Sequence, residues 1–172
     1  SYTSGNRDPS KQLEGFISDR NDGNVTHIQV NPRNWILSMP EIFKETDRHR
    51  AVIFADFVGI TPVFGWDRLR FLGDVTRSQY PVIVLEHASP YIAPETPPSV
   101  AAHILGYDSS PGMLEAVSDV LFGLSAVNGR LPIHLSDEYP RGYGLKLPQY
   151  VASLAPAEDA DMDPFIFRSE ER

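Results

Sequence analysis

The chain has 172 residues, of which 41% are hydrophobic and 22% are charged. This length and composition predict one globular domain and exclude two large ones. The formal net charge of −8 argues against nucleic acid as a partner, because phosphate binding needs a basic surface. The absence of cysteine excludes disulfides and thiolate metal sites. The sequence has no apolar run long enough to predict a transmembrane helix, and its polar N-terminus does not resemble a signal peptide.

In chain order, short β-rich runs alternate with amphipathic segments, which predicts a parallel sheet covered by helices. Strands are expected over 25–30, 51–54, 81–85, 100–105 and 131–135. The third of these, PVIVL, is a continuous apolar run typical of a strand buried on both faces.

Four helical segments are predicted between these strands. The first begins with Asp8 as its N-cap and Pro9 in its first turn. The second covers 35–50 with a break at Pro40, and the third covers 66–78 with Leu69, Leu72 and Val75 on its buried side. The fourth begins at Pro111, is capped by Ser110 and stops at Gly123.

The predicted fold is a three-layer α/β sandwich with a mostly parallel sheet of about five strands, flavodoxin-like in outline. Residues 1–150 form this domain. Residues 151–172 are rich in Ala, Pro, Asp and Glu and end in charged residues, which indicates a linker or tail.

One stretch, 106–135 (GYDSSPGMLEAVSDVLFGLSAVNGRLPIHL), resembles the signature of the C-terminal α/β domain of family 3 glycoside hydrolases. The matching residues, in order and spacing, are Gly112, Ala116, Asp119, Val120, Leu121, Phe122, Gly123, Gly129, Arg130, Leu131 and Pro132. Residues 81–91 (PVIVLEHASPY) and 139–145 (YPRGYGL) extend the resemblance to about half the chain. Ala-Val-Asn stands at 126–128, where many members have Asn-Pro-Ser, which places the chain nearer the β-N-acetylglucosaminidase-like branch.

The residues of this signature have architectural uses. Gly123 suits the position after a helix C-cap, where φ is often positive, and Asn128-Gly129 predicts a turn. For Asp119 we expect local pairing or hydrogen bonding rather than chemistry.

The resemblance implies a catalytic nucleophile on a separate (β/α)8 barrel, which needs about 250 residues and cannot fit in this chain. It also implies an acid, either a Glu on the loop after strand 51–54 or a barrel His-Asp pair. The loop 56–65 (DFVGITPVFG) has no Glu, and the barrel motif Lys-His-Phe-Pro-Gly-His-Gly is absent. We therefore predict no catalytic residue, and an accessory domain that packs against that barrel beside a carbohydrate-binding cleft. A C-terminal serine-hydrolase domain is a further implied partner, and the parent protein would be periplasmic or extracellular.

Ligands of open α/β sheets bind at the carboxyl ends of the strands. The candidate residues for the substrate cleft or the interface are Asp56, Glu86, His87, Ser89, Tyr91 and Asp108. No metal or cofactor is predicted, and His27, His103 and His134 are interpreted as structural. Two alternatives stay open: a free-standing binding module, and a small hydrolase that uses His87 and Ser89.

Overall fold

Three parallel strands form the centre of the fold in a computed structural model, which describes residues 8–30, 35–57, 67–78 and 80–150. They are β1 (Val52–Asp56), β2 (Val82–Glu86) and β3 (Ala102–Leu105), in the order β1-β2-β3. Asp56 lies opposite Glu86 in the register of β1 and β2, and Leu105 lies opposite Glu86 in that of β2 and β3. The last residues of all three strands therefore meet at one edge of the sheet, which we call the carboxyl edge.

The helices are α1 (Pro9–Arg20), α2 (Met39–Thr46), α3 (Arg68–Val75) and α4 (Pro111–Leu121), with short 3₁₀ helices at Trp35–Ser38 and Pro90–Glu95. Asp8 caps α1 as predicted, its Oδ1 accepting from the Ser10 amide at 3.0 Å. The helix break predicted at Pro40 is present, but it lies just before this residue, between Ser38 and Met39. The first 3₁₀ helix ends at Ser38, and Pro40 occupies the first turn of α2, where a missing N–H costs nothing. None of the described helices is long and apolar enough to cross a membrane.

The alternating side chains of the strands pack into two separate apolar clusters. One contains Trp35, Met39, Ile42, Phe71, Val75 and Val82, with Val52 and Phe54 against it. The other contains Leu13, Ile17, Leu85, Leu114 and Val117, with Ile53, Ala55 and Ile83 against it. The sheet therefore has α2 and α3 on one face and α1 and α4 on the other, an α/β arrangement in which burial of both faces provides the main stabilisation.

The prediction of about five strands was wrong for the described residues, which contain three. Residues 25–30 are not a strand, although Ile28 and Val30 pack on the first cluster and Val25 on the second. His27 Nδ1 lies 3.0 Å from a Glu14 carboxylate oxygen, and side chains thus help to fix this segment. Alternating apolar residues indicate burial, and an extended segment can reach burial without a ladder partner.

Residues 131–135 also fail to join the sheet. The Leu131 amide donates to the Tyr143 carbonyl at 2.8 Å, and the Gly142 amide donates back to the Leu131 carbonyl at 2.8 Å. Gly142 has φ +86°, a conformation that glycine adopts freely, so the chain turns and pairs with its own next segment. Local pairing has a smaller loop-closure cost than a return to β3.

A smaller correction concerns α3, where Leu72 and Val75 are buried as predicted but Leu69 is exposed. Arg68 takes the buried place at the start of this helix. Residues 58–65 of the predicted loop and the predicted tail over 151–172 lie outside the described residues.

Candidate functional site

A buried ion cluster occupies the carboxyl edge between β1, β2 and α3. Asp56 and Glu86 end their strands in register, and their side chains therefore point to the same face of the sheet. Arg68 opens α3, and its Nε donates to Asp56 Oδ2 at 2.7 Å while its Nη2 donates to Glu86 Oε2 at 2.8 Å. Asp56, Arg68 and Glu86 are 3%, 7% and 1% exposed, so water screens these charges little.

Two carboxyl groups share one guanidinium in this cluster, and the balance of charge affects Glu86. Burial, and secondly the negative charge of Asp56, raise the pKa of Glu86 to about 7, although Arg68 opposes this shift. Glu86 therefore holds a proton in a large fraction of molecules near neutral pH. The protonated form leaves one carboxylate and one guanidinium, which balances the buried charge.

Several buried polar atoms around the cluster lack a hydrogen-bond partner among the described residues: Arg68 Nη1, Glu86 Oε1 and His103 Nε2. The other ring nitrogen of His103 lies 3.4 Å from the Thr96 hydroxyl. Burial, and then the positive charge of Arg68, lower the pKa of His103 to about 4. His103 is thus a neutral imidazole in β3 at neutral pH.

His87 follows Glu86 and lies toward the opposite face, where its ring stacks on Phe57 with 5.0 Å between centroids. His87 Nδ1 lies 3.0 Å from the carbonyl oxygen of Asp108. Burial lowers the pKa of His87, so the neutral ring donates from Nδ1 to this carbonyl. A Cβ at Gly106 would lie 3.0 Å from His87 Nδ1, and glycine there allows the close approach.

Ser89 and His87 do not form a nucleophile–base pair in this structure. The His87 ring uses Nδ1 for the Asp108 carbonyl, and its Nε2 has no hydrogen-bond partner among the described residues. Ser89 precedes the second 3₁₀ helix, and Tyr91 within that helix is 58% exposed. The geometry therefore gives the small-hydrolase alternative no support.

Asp108 lies just before α4. Its Oδ1 accepts from the Ser110 amide at 2.6 Å, and the bonds from the Ser110 hydroxyl and amide lower the pKa of Asp108. Ser110 stands at the N-cap position, as predicted, but its own side chain makes no capping hydrogen bond. The Asp108 carboxylate thus binds the Ser110 amide itself rather than an amide within α4.

The structure brings Asp56 and Glu86 together on one face and His87 and Asp108 on the other, whereas Ser89 joins neither pair. Sequence reasoning missed Arg68. A cation in the first turn of a helix opposes the helix dipole, and this misplacement was the available signal that an acidic partner lies nearby. Within the described part of the chain, no group of three or more His, Asp or Glu side chains could hold a metal ion.

Comparison of the chain with protein-family models, with curated proteins and with solved structures found no match. Similarity to a characterised protein therefore assigns no function. The inference of function depends on the sequence signature and on the geometry of the carboxyl edge.

Proposed function

We propose that this chain is the C-terminal α/β domain of a family 3 glycoside hydrolase of the β-N-acetylglucosaminidase-like branch, and that it has no glycosidase activity alone. The signature over 106–135 supports the family, and a parallel sheet between two helix layers is compatible with it. We further propose that the domain has a flavodoxin-like fold. In the parent protein, which we place in the periplasm or outside the cell, the domain packs against a (β/α)8 barrel and forms one wall of the sugar-binding cleft. A serine-hydrolase domain is a further proposed partner.

The observation that carries the proposal is the engagement of both strand-end carboxyl groups with Arg68. Most glycosidases use two carboxyl groups about 5–9.5 Å apart on either side of the scissile bond. Asp56 and Glu86 instead bind one guanidinium and are almost fully buried. They cannot flank a sugar in this arrangement, which supports the proposal that a neighbouring domain supplies the reactive groups.

The surface proposed to face the barrel is the carboxyl edge. Tyr91 lies just after β2 and Tyr107 just after β3, and both side chains are exposed. Tyrosine is enriched at protein interfaces because it combines a large apolar ring with a hydroxyl group. Burial against a barrel would remove this apolar area from water.

The first test compares turnover with and without a barrel. The purified chain is expected to leave an aryl N-acetylglucosaminide uncleaved, whereas the full reading frame that contains a barrel is expected to cleave it. Enzymatic turnover by the isolated chain would refute the proposal. An upstream reading frame without a barrel would also refute it and favour the free-standing binding module.

The second test locates the interface with two substitutions of matched type. Tyr91→Asp at the carboxyl edge is expected to weaken association with the separately expressed barrel, measured by calorimetry, by about tenfold or more. Tyr150→Asp is the control, because Tyr150 is 69% exposed but pairs with Gly123 at the end of α4. Equal effects of the two substitutions would contradict the assignment of the carboxyl edge.

A further inference from the structure

The chain after α4 forms an antiparallel ribbon of two segments, 123–131 and 142–150, which we call the C-terminal ribbon. The Tyr150 amide donates to the Gly123 carbonyl at 2.8 Å. Val127 and Leu147 exchange two backbone hydrogen bonds, of 2.9 and 3.1 Å, and Leu131 bonds Tyr143. The Val127–Leu147 and Leu131–Tyr143 pairs share one antiparallel register, and the Tyr150–Gly123 bond is offset from it by one residue.

The C-terminal ribbon carries nearly half of the exposed large hydrophobic side chains of the described residues. Five of its large side chains are between 40% and 69% exposed: Leu124, Tyr143, Leu145, Leu147 and Tyr150. Apolar side chains gathered in this way on one element are typical of a surface that a partner covers.

The charges of the ribbon have one sign. Its two segments contain Arg130 and Lys146 and no Asp or Glu, whereas the connection over 132–141 carries Asp137, Glu138 and Arg141. Downstream, residues 158–163 carry four acidic side chains, Glu158, Asp159, Asp161 and Asp163, and the apolar run Phe-Ile-Phe follows at 165–167. The tail thus carries acidic and apolar residues that complement the basic and apolar side chains of the ribbon.

We propose that residues 165–167 of the same chain pack on the exposed apolar side chains of the C-terminal ribbon, with the acidic residues 158–163 beside its basic side chains. Residues 165–167 lie outside the described residues, and Tyr150 within the ribbon precedes Phe165 by 15 residues. A flexible segment of that length has a root-mean-square span of roughly 20 Å. A nine-residue extended segment is about 30 Å long, so the tail can fold back along the ribbon.

The covalent connection favours this occupant over a second copy of the chain. A short flexible tether gives an effective concentration on the order of 1 mM. An intrinsic dissociation constant of about 1 mM therefore suffices to dock about half of the molecules. A second copy at roughly 10 µM would compete at a concentration about 100-fold lower.

The test uses the full chain, which has no cysteine of its own. A nitroxide is attached to Ser169→Cys, and amide signals are recorded by NMR. The label is expected to remove the signals of Leu145 and Leu147 while leaving those of Leu13 and Ile17 in α1. Substituting Phe165→Ser together with Phe167→Ser is expected to restore the signals. Leu154→Ser, an apolar position nearer the ribbon, is the matched control and is expected to restore none.

A second sample separates the tail from a second copy. Nitroxide-labelled chains without isotope are mixed with ¹⁵N-labelled chains that carry no nitroxide, and no loss of the Leu145 and Leu147 signals is expected. Loss in this mixture would assign the surface to a second copy and overturn the proposal. Unchanged signals in the first sample, or equal losses over the whole domain, would also overturn it. The barrel proposal is unaffected by either result, because it depends on Tyr91 and Tyr107 rather than on the ribbon.

Discussion

Arg20 at the end of α1 binds Asp119 near the end of α4, with its Nε and Nη2 2.8 and 2.5 Å from the same carboxylate oxygen. The two residues are 99 positions apart, and their bond joins the first helix to the last on one face of the sheet. Arg20 Nη1 also donates to the Phe16 carbonyl at 2.8 Å, which fixes the guanidinium. Asp119 is paired, as expected, but its partner is distant in sequence rather than local.

Arg20→Ala is expected to lower the free energy of unfolding by about 1 kcal/mol, because a partly buried, two-donor charge pair contributes more than an exposed one. Urea denaturation would measure the change. Arg77→Ala is the control: its bond to Asp74 is 2.9 Å long but Arg77 is largely exposed. A loss of no more than roughly 0.5 kcal/mol is expected there, and equal losses for both variants would contradict the prediction.

Arg68→Met is expected to destabilise the fold by about 3–5 kcal/mol, because it leaves Asp56 and Glu86 buried without their cation. Arg70 lies two residues further along α3, and its side chain is exposed. Arg70→Met is therefore expected to lower the free energy of unfolding by less than about 1 kcal/mol. Chemical denaturation of both variants gives the comparison. A small loss for Arg68→Met would show that water solvates the two carboxyl groups.

The pH dependence of stability is expected to contain two opposing contributions. Glu86, which faces Asp56 and Arg68, has its pKa raised from 4.5 to about 7 in the folded state. The folded state therefore binds more protons than the unfolded state between these values, and this contribution to stability falls as pH rises. His103, near Arg68 and Asp56, has its pKa lowered from 6.5 to about 4, so its contribution rises with pH.

Single variants separate these contributions between about pH 4.5 and 6.5, where the two ranges overlap. Glu86→Gln is expected to make stability rise more steeply as pH increases. His103→Gln is expected to make stability fall as pH increases. Each change in slope approaches about 1.4 kcal/mol per pH unit at most, the value for one proton. Urea denaturation across this range measures the slopes, and slopes equal to that of the unaltered chain would contradict the assigned pKa directions.

Two glycines test a backbone requirement. Gly123 follows α4 with φ +69°, and a Cβ there would lie 3.1 Å from the Tyr150 ring. Gly123→Ala is therefore expected to cost about 1–2 kcal/mol. Gly15 lies within α1 with open space around it, and Gly15→Ala is expected to stabilise by roughly 0.5–1 kcal/mol. Thermal denaturation checks the opposite signs, and a shift of the same sign for both would refute the argument.

Local signals predicted the regular elements well. The apolar run of β2, the Asp8–Pro9 start of α1 and the glycine after α4 each depend on neighbours within a few residues, and all three are confirmed. The strands expected over 25–30 and 131–135 are wrong, because a strand also needs a partner, which sequence alternation does not specify.

The sequence also indicated which strand ends carry polar side chains, and Asp56 and Glu86 are indeed neighbours there. Their pairing with Arg68 was not predicted, since it requires the first turn of α3 to lie over the ends of two strands. The amino-acid sequence by itself thus determined the α/β class, the starts of α1 and α4 and the buried apolar run of β2, all of which follow from local backbone and hydrophobic preferences. Only the tertiary structure decided the number of strands, the partner of each buried charge and the pairing of the chain after α4. These depend on contacts between residues far apart in sequence, whose free energies no local pattern records.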